Sequence, residues 1–578
     1  MLTPTILCRR LAVIPAVLLI GVGCGRDRYE AAEVSTHVEL ICPGDPSGIC
    51  DFADDTTLWV GSSAIAITPT RYETWTDVDE NSEYQPGVDQ FHDCGGDRLC
   101  PEDEGYPGAD EGEGNGSFDA LWLAGFQVGR PMQDVADDLW ARATVITQGE
   151  TSIGIVSVDL VGFFYDEVLR VREAARSELG LDHVVVSSTH VHEAPDTMGI
   201  WGSNLARSGI NPDFMSQVHL GIQDALREAQ TNAVPAAVNI GAYSIDDALW
   251  DGSGVNNVNI DTRPPHIVDR TIRTARFTVE ATGEPLASWI NFANHPEGAG
   301  SSNLHATSDF AHTLRTTVEQ GASQGPLGPL TGHDGPATYF QGACGGMMTP
   351  LRTDTIDLDG SLYSTNELAK AYAVGRVTGY HALQSMESDT RVTAPLLRFR
   401  TKQLFVPVEN RGYHLLLNLG VIDRQGYHYD EDSLIDERNQ PDLLTEVSVI
   451  ELGDLSILTL PGELLPELAI GGYDGSNTGP LQELYDPDDP YAPQISEAPE
   501  GPYLEDLMSG SVRMILGLAN DEIGYFIPDY NYRLDEANPF IEEAPGEHYE
   551  ETNSTGPSAT NLIVGTASEL LEFSPPER

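Results

Sequence analysis

The sequence has few positive charges for its length. Of its 578 residues, 31 are lysine or arginine and 90 are aspartate or glutamate, so the formal net charge is −59. A surface with this excess of negative charge repels nucleic-acid phosphates and anionic lipid headgroups. Nucleic acid is therefore excluded as an expected partner.

Two common catalytic motifs lack support. The Gly-x-Ser-x-Gly string of the chain, GASQG at 321–325, is not preceded by an apolar strand-like run, and the chain contains no Gly-x-x-x-x-Gly-Lys-Ser/Thr. The first motif places a nucleophilic serine on a sharp strand-to-helix turn, and the second wraps a glycine-rich loop around phosphates. Serine-esterase chemistry and nucleotide chemistry therefore have no support.

Long apolar runs are confined to the N-terminal region, and even that run is short. A membrane-spanning helix needs about 18 or more apolar residues, and the run 11–22 falls below this length. Arg9 and Arg10 precede the run, and Cys24 follows it after small residues. This pattern is typical of a bacterial lipoprotein signal over residues 1–24, with an ordinary cleaved signal peptide as the alternative. Both predict export, and the first predicts membrane anchoring through a lipidated Cys24.

Cysteines are scarce, and most of them lie close to another cysteine along the chain. Beyond Cys8 and the signal region there are Cys42, Cys50, Cys94, Cys100 and Cys344. The close spacing of the first four predicts two short-loop disulfides, which fits an oxidising compartment. A metal site built from these four is the alternative, although the spacing is not that of a zinc finger. Cys344 is predicted to be a buried free thiol.

From residue 143 onward, strand patterns alternate with helix patterns. Segments 143–148 and 151–160 predict a strand pair, 165–179 has helical periodicity, and 183–192 reads as a strand buried on both faces. Strand, helix and strand in succession predict an α/β layer. We therefore expect an α/β fold with a large mixed sheet and helices packed on the sheets.

The same alternation continues through the rest of the chain. We predict a helix at 213–230, a strand at 234–245, hairpins at 275–296 and 447–469, and a helix or turn at 513–528. The expected organisation comprises a tether (25–57), a catalytic domain (58–550) with an acidic insert (76–119), and a C-terminal tail (551–578).

Polar side chains stand where several predicted strands end. Because the side-chain period of a strand is two, His190 and His192 point to one side. His295, Glu463 and Tyr525 also follow strand-like or apolar stretches. Hydrogen-bonded polar groups at strand ends are the alternative to a shared site. Two imidazoles and one carboxylate are typical of catalytic zinc, which keeps one position open for water.

Six strings of the sequence point to a known family. In chain order they are VGSSAIAITP, THVHEAP, INFANHP, CGGMMTP, LPGELLPELA, and GLANDEIGYFIP with EHYEE. They resemble the motifs of the neutral/alkaline (non-lysosomal) ceramidase family, whose members are secreted zinc amidases. The resemblance covers residues 58–550. The family's C-terminal immunoglobulin-like domain is expected to be missing, because the sequence stops soon after Tyr549.

The resemblance implies a set of site residues. The implied zinc ligands are His190, His295, Glu463 and Tyr525. The implied catalytic residues are His192, Thr349, Tyr549 and Arg263. His192 would move protons and Tyr549 would donate to the carbonyl or oxyanion. Thr349 replaces a serine of the family and would order water or substrate, and Arg263 stands for a family arginine.

Two acidic residues depart from the family pattern. Glu193 and Asp196 follow the histidine pair, where the family has small residues. They predict added negative charge at the mouth of the site. Such charge favours a substrate whose headgroup differs from that of ceramide.

The acidic insert contains a loop with calcium-binding spacing. In DEGEGNGSFD (110–119), oxygen-bearing side chains fall at alternate positions before a glycine. This resembles the first nine positions of an EF-hand loop, although position 12 is Trp122. The predicted calcium ligands are Glu111, Glu113, Asn115 and Asp119. A solvated acidic loop is the alternative.

These observations together predict an exported zinc-dependent amidohydrolase that acts on ceramide or a related N-acyl lipid. One alternative is a zinc hydrolase of another amide or ester. The other is a non-catalytic, calcium-stabilised surface lipoprotein on the same fold.

Overall fold

The computed structural model describes residues 34–43 and 57–573. The predicted signal peptide with Cys24, most of the predicted tether, and Cys50 lie outside the described residues. Within the described ranges, no helix has the length and apolar character needed to cross a membrane.

The helices are α1 Tyr165–Leu179, α2 Pro212–Thr231, α3 Phe310–Gln320, α4 Leu368–Glu387, α5 Arg411–Leu419, α6 Pro466–Ile470, α7 Leu504–Leu507, α8 Tyr549–Thr552 and α9 Ser558–Glu572. The strands are β1 Glu39–Ile41, β2 Leu58–Ala66, β3 Thr74–Thr76, β4 Gln90–His92, β5 Asp134–Val135, β6 Trp140–Gln148, β7 Thr151–Val158, β8 His183–Ser188, β9 Val234–Ser244, β10 Thr271–Val279, β11 Pro285–Phe292, β12 His305–Ala306, β13 Gly321–Ala322, β14 Leu330–Thr331, β15 Ala337–Gln341, β16 Thr355–Ile356, β17 Leu362–Tyr363, β18 Thr390–Arg391, β19 Leu397–Pro407, β20 Asp442–Leu452, β21 Leu455–Thr459, β22 Glu463–Leu464, β23 Val512–Leu516 and β24 Tyr525–Phe526.

Two large sheets stack face to face between outer helices. The larger has the order β15-β11-β10-β9-β2-β6-β7-β8, with β18 also paired to β9, and the other has the order β1-β19-β20-β21-β23. One apolar core joins the sheets, with Val60 and Trp289 from the first and Phe399 and Ile457 from the second. Helices α1 to α4 cover the larger sheet and α9 covers the other. The predicted α/β class, with mixed sheets and packed helices, is confirmed.

The continuous apolar run of β8 follows from this layering. Val184 and Val186 face the helix layer, while Val185 faces the core between the sheets. A strand buried on both faces needs apolar side chains at odd and even positions alike. The predicted doubly buried strand is therefore confirmed over His183–Ser188, but it ends before the histidine pair, which was predicted to lie within it.

Parallel pairing brings the chemistry-bearing loops to one region. Strand β8 runs parallel to β7, β11 parallel to β15, and β21 parallel to β23. The short strands β22 and β24, which follow β21 and β23, also pair in parallel. Of the predicted zinc ligands, His190 and His295 lie in the loops after β8 and β11, while Glu463 and Tyr525 lie in β22 and β24.

Two sequence predictions near the C-terminus need correction. The segment predicted as a helix or turn at 513–528 begins with strand β23, because a short apolar run has no period that separates strand from helix. The predicted tail contains α9, which buries Ala559, Ile563, Ala567 and Leu570 on the five-stranded sheet. Their spacing of three to four residues is helical, so residues 558–572 belong to the folded body and not to a tail.

The cysteine predictions can be compared with the described residues. Cys94 and Cys100 form a disulfide, as predicted. Cys42 is also disulfide-bonded. Cys344 is a buried free thiol, which is confirmed.

A buried ion pair joins α3 to the end of β7 and gives a test of the fold. Arg315 donates to both oxygens of Asp159 at 3.0 and 2.9 Å, and both side chains are almost fully buried. We expect Arg315→Met to lower the free energy of unfolding by about 3–5 kcal/mol, because it leaves a buried carboxylate unpaired. Denaturant titration measures this change.

The matched control removes the same type of side chain from an exposed pair. Arg391 and Glu280 are 55% and 48% exposed, so Arg391→Met should cost about 0–1 kcal/mol. Equal losses in the two variants would contradict the proposed role of the Arg315–Asp159 pair.

Candidate active site

Two histidines of the site are oriented by backbone carbonyls. The Nδ1 atom of His190 lies 2.7 Å from the carbonyl oxygen of Val161, and that of His295 lies 2.8 Å from that of Met348. A carbonyl oxygen can only accept, so each Nδ1 carries the proton and donates. In its neutral form each ring therefore presents an Nε2 lone pair, which is how zinc-binding histidines are held.

Both Nε2 atoms meet the carboxylate of Glu463. The distances are 3.3 Å from His190 to Oε1 and 3.0 Å from His295 to Oε2. All three side chains are buried. Burial would raise the pKa of Glu463, but His190 and His295 hold this pKa well below its ordinary value. Burial would likewise lower the pKa of His295, and its hydrogen bond with Glu463 raises it to about 9.

This donor set fits a divalent cation. Two imidazole nitrogens and a carboxylate converge in a buried place, where a proton on His295 supplies the balancing positive charge in the metal-free protein. Zinc binding displaces such protons. The donor types are those of catalytic zinc sites with two histidines and a glutamate.

Tyr525 lies directly beside Glu463. The two residues are register partners in the parallel pair β22–β24. The Tyr525 hydroxyl donates to the sulfur of Met347 at 3.3 Å. Burial, followed by the nearby Glu463, raises the pKa of Tyr525 well above 10. The phenol is therefore protonated without a metal, and only a cation at Glu463 would favour the tyrosinate.

One side-chain amide fixes the two histidine loops relative to each other. Gln341, at the end of β15, donates through Nε2 to the carbonyls of Thr189 at 3.4 Å and Asn294 at 2.7 Å. His190, next to Thr189, has a φ of 69°. A left-handed backbone at a non-glycine residue is strained, and it persists where the surroundings hold it.

His192 completes the histidine group and lines the cavity described below. One ring nitrogen of His192 lies within 4.8 Å of a ring nitrogen of His190 and of one of His295. Arg130 donates to the His192 carbonyl, and the ring of Phe126 meets the imidazole edge-on at 5.1 Å. Burial, then His190 and His295, lowers the pKa of His192 well below 6.5. The ring is neutral at pH 7, as a proton acceptor needs to be.

Close packing at a glycine holds the same ring in place. Gly125 has a φ of 93°, and a Cβ built there would lie 2.3 Å from Cγ of His192. Any side chain at this position would displace the imidazole. The glycine therefore fixes how closely the 125–130 loop approaches the site.

Glu297 and Cys344 are site residues that sequence reasoning missed. Oε2 of Glu297 lies 3.5 Å from Nδ1 of His192, and the Cys344 thiol donates to Glu463 at 3.7 Å. Both side chains are buried. A glutamate two residues after His295 is a signal that could have been noticed, whereas the place of Cys344 depends on long-range folding.

Thr349 is near the site, but its hydroxyl has other partners. It accepts from the Leu351 amide at 2.9 Å, and the side chain interacts with Glu297. Thr349 does not line the cavity. Its role in ordering water or substrate stays a prediction.

Arg263 lies outside the cavity in a buried ion-pair network. Its guanidinium donates to Glu550 at 2.6 Å and to Glu551 at 2.9 Å, and it is 3% exposed. These two glutamates follow Tyr549 in α8. Arg263 therefore holds the helix that carries Tyr549 and does not itself face the reacting groups.

An apolar cavity of about 370 Å³ opens from the polar site. At its polar end it is lined by His190, His192, Glu463, Tyr525 and Tyr549. Tyr549 is 41% exposed, and its ring lies 6.2 Å from that of Tyr525. The apolar wall includes Phe164, Met198, Ile200, Trp201, Leu205, Val408, Leu417 and Ile422. An elongated apolar group fits such a wall.

The expected negative charge at the mouth is not there. Glu193 and Asp196 are both fully buried. Asp196 accepts from the backbone amides of Met198, Gly199 and Trp201, so it shapes the loop that supplies part of the apolar wall. Glu193 faces Arg130 in the interior. Glu193 and Asp196 therefore give no reason to expect a headgroup other than that of ceramide. The local sequence did not show that both residues have partners in the interior.

The predicted calcium ligands are partly brought together. The Asn115 amide donates to Asp119 at 2.9 Å, while Glu113 accepts from the Tyr106 hydroxyl at 2.8 Å and Glu111 is exposed. A separate carboxylate group in the same insert comprises Asp77, Asp79 and Asp89. Calcium binding at residues 111–119 stays a prediction.

Comparison with known proteins adds the fold. A neutral ceramidase from Pseudomonas aeruginosa has a TM-score of 0.53 at 14% identity, over 91% of this chain and 76% of that chain. A ceramidase complexed with C2 has a TM-score of 0.51 at 12% identity, over 90% of this chain and 76% of that chain. Neither a protein-family profile nor a curated protein sequence matches the chain. The chain has the fold of neutral ceramidases, and the resemblance seen in its motifs is confirmed at this level.

Proposed function

We propose that this protein is an exported zinc-dependent amidohydrolase that cleaves the amide bond of ceramide or a related N-acyl lipid. The observation that carries the proposal is the convergence of His190 and His295, through Nε2, on Glu463 at the end of an apolar cavity. Tyr525 is the fourth proposed ligand. The ceramidase fold agrees with this reaction class.

The chain's own residues divide the work around the scissile amide. Bound zinc would polarise the carbonyl and lower the pKa of water to about 7. His192 accepts a proton from the attacking water and returns it to the leaving amine. The hydroxyl of Tyr549 donates a hydrogen bond to the carbonyl oxygen as negative charge develops there.

The apolar cavity selects the substrate class. Its wall carries aliphatic and aromatic side chains next to the polar end, so the acyl or sphingoid chain lies there while the amide reaches Glu463 and His192. Within the described lining, the charged residues other than the site groups are Arg424 and Glu522. Arg424 is paired with Asp521 at 2.9 Å and is not free to bind an anionic headgroup.

Export is part of the proposal. The Cys94–Cys100 disulfide and the bonded Cys42 are typical of an oxidising compartment. Anchoring through Cys24 follows from the sequence pattern alone and is proposed on that basis.

Metal analysis of purified variants tests the ligand set. We expect about one zinc per chain in the wild type, and its loss in His190→Ala and Glu463→Ala, because each removes one donor from a four-ligand set. Elemental analysis and calorimetric zinc titration of the apoprotein measure this.

His312→Ala is the matched control for zinc binding. Its side chain is 37% exposed and near Asp137, so zinc content should not change. Zinc retained in both ligand variants, together with full hydrolysis, would refute the assigned site.

A substitution at the cavity mouth tests the substrate class. Leu205 lines the cavity and is 68% exposed. We expect Leu205→Asp to raise KM for long-chain N-acyl substrates about tenfold, because it removes the burial of one leucine against the lipid. A short N-acetyl amide should show no change.

Leu481→Asp serves as the control, since Leu481 is 67% exposed and lies outside the cavity lining. KM values for both substrates should then equal those of the wild type. If Leu205→Asp impaired the long and short substrates equally, an apolar chain in this cavity would be ruled out.

A further inference from the structure

A buried carboxylate stands behind the proposed proton-transfer histidine. Glu297 is 2% exposed, and its Oε2 lies 3.5 Å from Nδ1 of His192. His192 lines the apolar cavity, whereas Glu297 does not. The imidazole is therefore interposed between this carboxylate and the space where substrate would lie.

The backbone fixes this arrangement from both sides. The His192 amide donates to the carbonyl of Pro296 at 3.0 Å, and the Glu297 amide donates to that of His295 at 3.0 Å. The first of these bonds joins the two loops next to the residues that carry the pair, and the second closes a turn within the loop that carries Glu297.

Three polar atoms of this pair have no hydrogen-bond partner among the described residues. They are both ring nitrogens of His192 and Oε1 of Glu297. Unpaired buried polar atoms are costly. A separation of 3.5 Å is slightly longer than a hydrogen bond, and catalytic contacts of this kind tighten when substrate binds.

Thr349 is a neighbour of this carboxylate. Its side chain interacts with Glu297, and its hydroxyl accepts from the Leu351 amide at 2.9 Å. Of Thr349, Glu297 and His192, only His192 lines the cavity.

We propose that Glu297 is the positioning residue for His192 in the proposed amide hydrolysis. The carboxylate accepts from Nδ1–H of His192, which fixes the tautomer and aims Nε2 at the cavity. Nε2 takes a proton from water as the new C–O bond forms and gives it to the amine nitrogen as the C–N bond breaks. The ring ends in its starting state, and no proton is transferred to Glu297. This inference rests on the proposed function.

Three variants and one control test the inference in the zinc-loaded protein. Glu297→Gln keeps the shape and removes the charge, Glu297→Asp keeps the charge, and Glu297→Ala removes both. Glu467→Gln is the control, because Glu467 is 1% exposed and outside the cavity lining. The readouts are calorimetric zinc affinity of the apoprotein, kcat and KM for a long-chain N-acyl amide, and ¹⁵N shifts of the His192 ring.

We expect Glu297→Gln to lower kcat about 10²-fold or more, in the range of general acid–base effects, while KM and zinc affinity stay within about twofold of wild type. Glu297→Ala should lose at least as much kcat, and Glu297→Asp should regain part of it. The ¹⁵N shifts should show a protonated Nδ1 in the wild type and a mixture of tautomers in Glu297→Ala. Glu467→Gln should match the wild type.

Several outcomes would overturn the inference. These are an unchanged kcat in Glu297→Gln, a loss of zinc parallel to the loss of kcat, or the same His192 tautomer in wild type and Glu297→Ala. A wild-type protein that hydrolyses no N-acyl amide would refute the proposed function instead. The ring shifts would then still decide whether Glu297 orients His192.

Discussion

The shared carboxylate of Glu463 is the contact on which the site depends. His190 arrives from the end of β8 and His295 from the end of β11, on strands separated in the sheet order. A single side chain from β22 meets both rings. Because a buried carboxylate is tolerated only when it is paired, the two sheets must come together at this point. The parallel pairing of β22 and β24 places Tyr525 beside this carboxylate.

Around that contact the molecule separates a polar side from an apolar side. The side-chain N–H groups of Gln341 and Arg130 donate hydrogen bonds to backbone carbonyls and thereby hold the histidine loops. Asp196 accepts backbone amides and folds the loop that brings Met198 to the cavity. These polar groups are thus paired with other groups of the scaffold. The cavity therefore has an apolar wall beside the few polar side chains of the site.

Sequence reasoning predicted the parts whose signal is local. The apolar run of β8 predicts the strand that leads to His190 and His192. The expected period of two does not apply to these histidines, because β8 ends at Ser188 and His190 has a φ of 69°. Roles that depend on distant partners were not predictable. Arg263 pairs with Glu550 and Glu551, which lie far along the chain. Thr349 interacts with Glu297 and does not line the cavity. The burial of Glu193 likewise depends on the position of Arg130.

The central claim is that these loops form one catalytic zinc site, and anomalous X-ray diffraction at the zinc absorption edge tests it most directly. In zinc-loaded crystals of the protein, the account predicts a strong peak about 2.0–2.2 Å from Nε2 of His190, Nε2 of His295 and a carboxylate oxygen of Glu463, with the Tyr525 oxygen turned toward it. Absence of a peak there, or a peak only at the Asp77, Asp79 and Asp89 carboxylates, would contradict it.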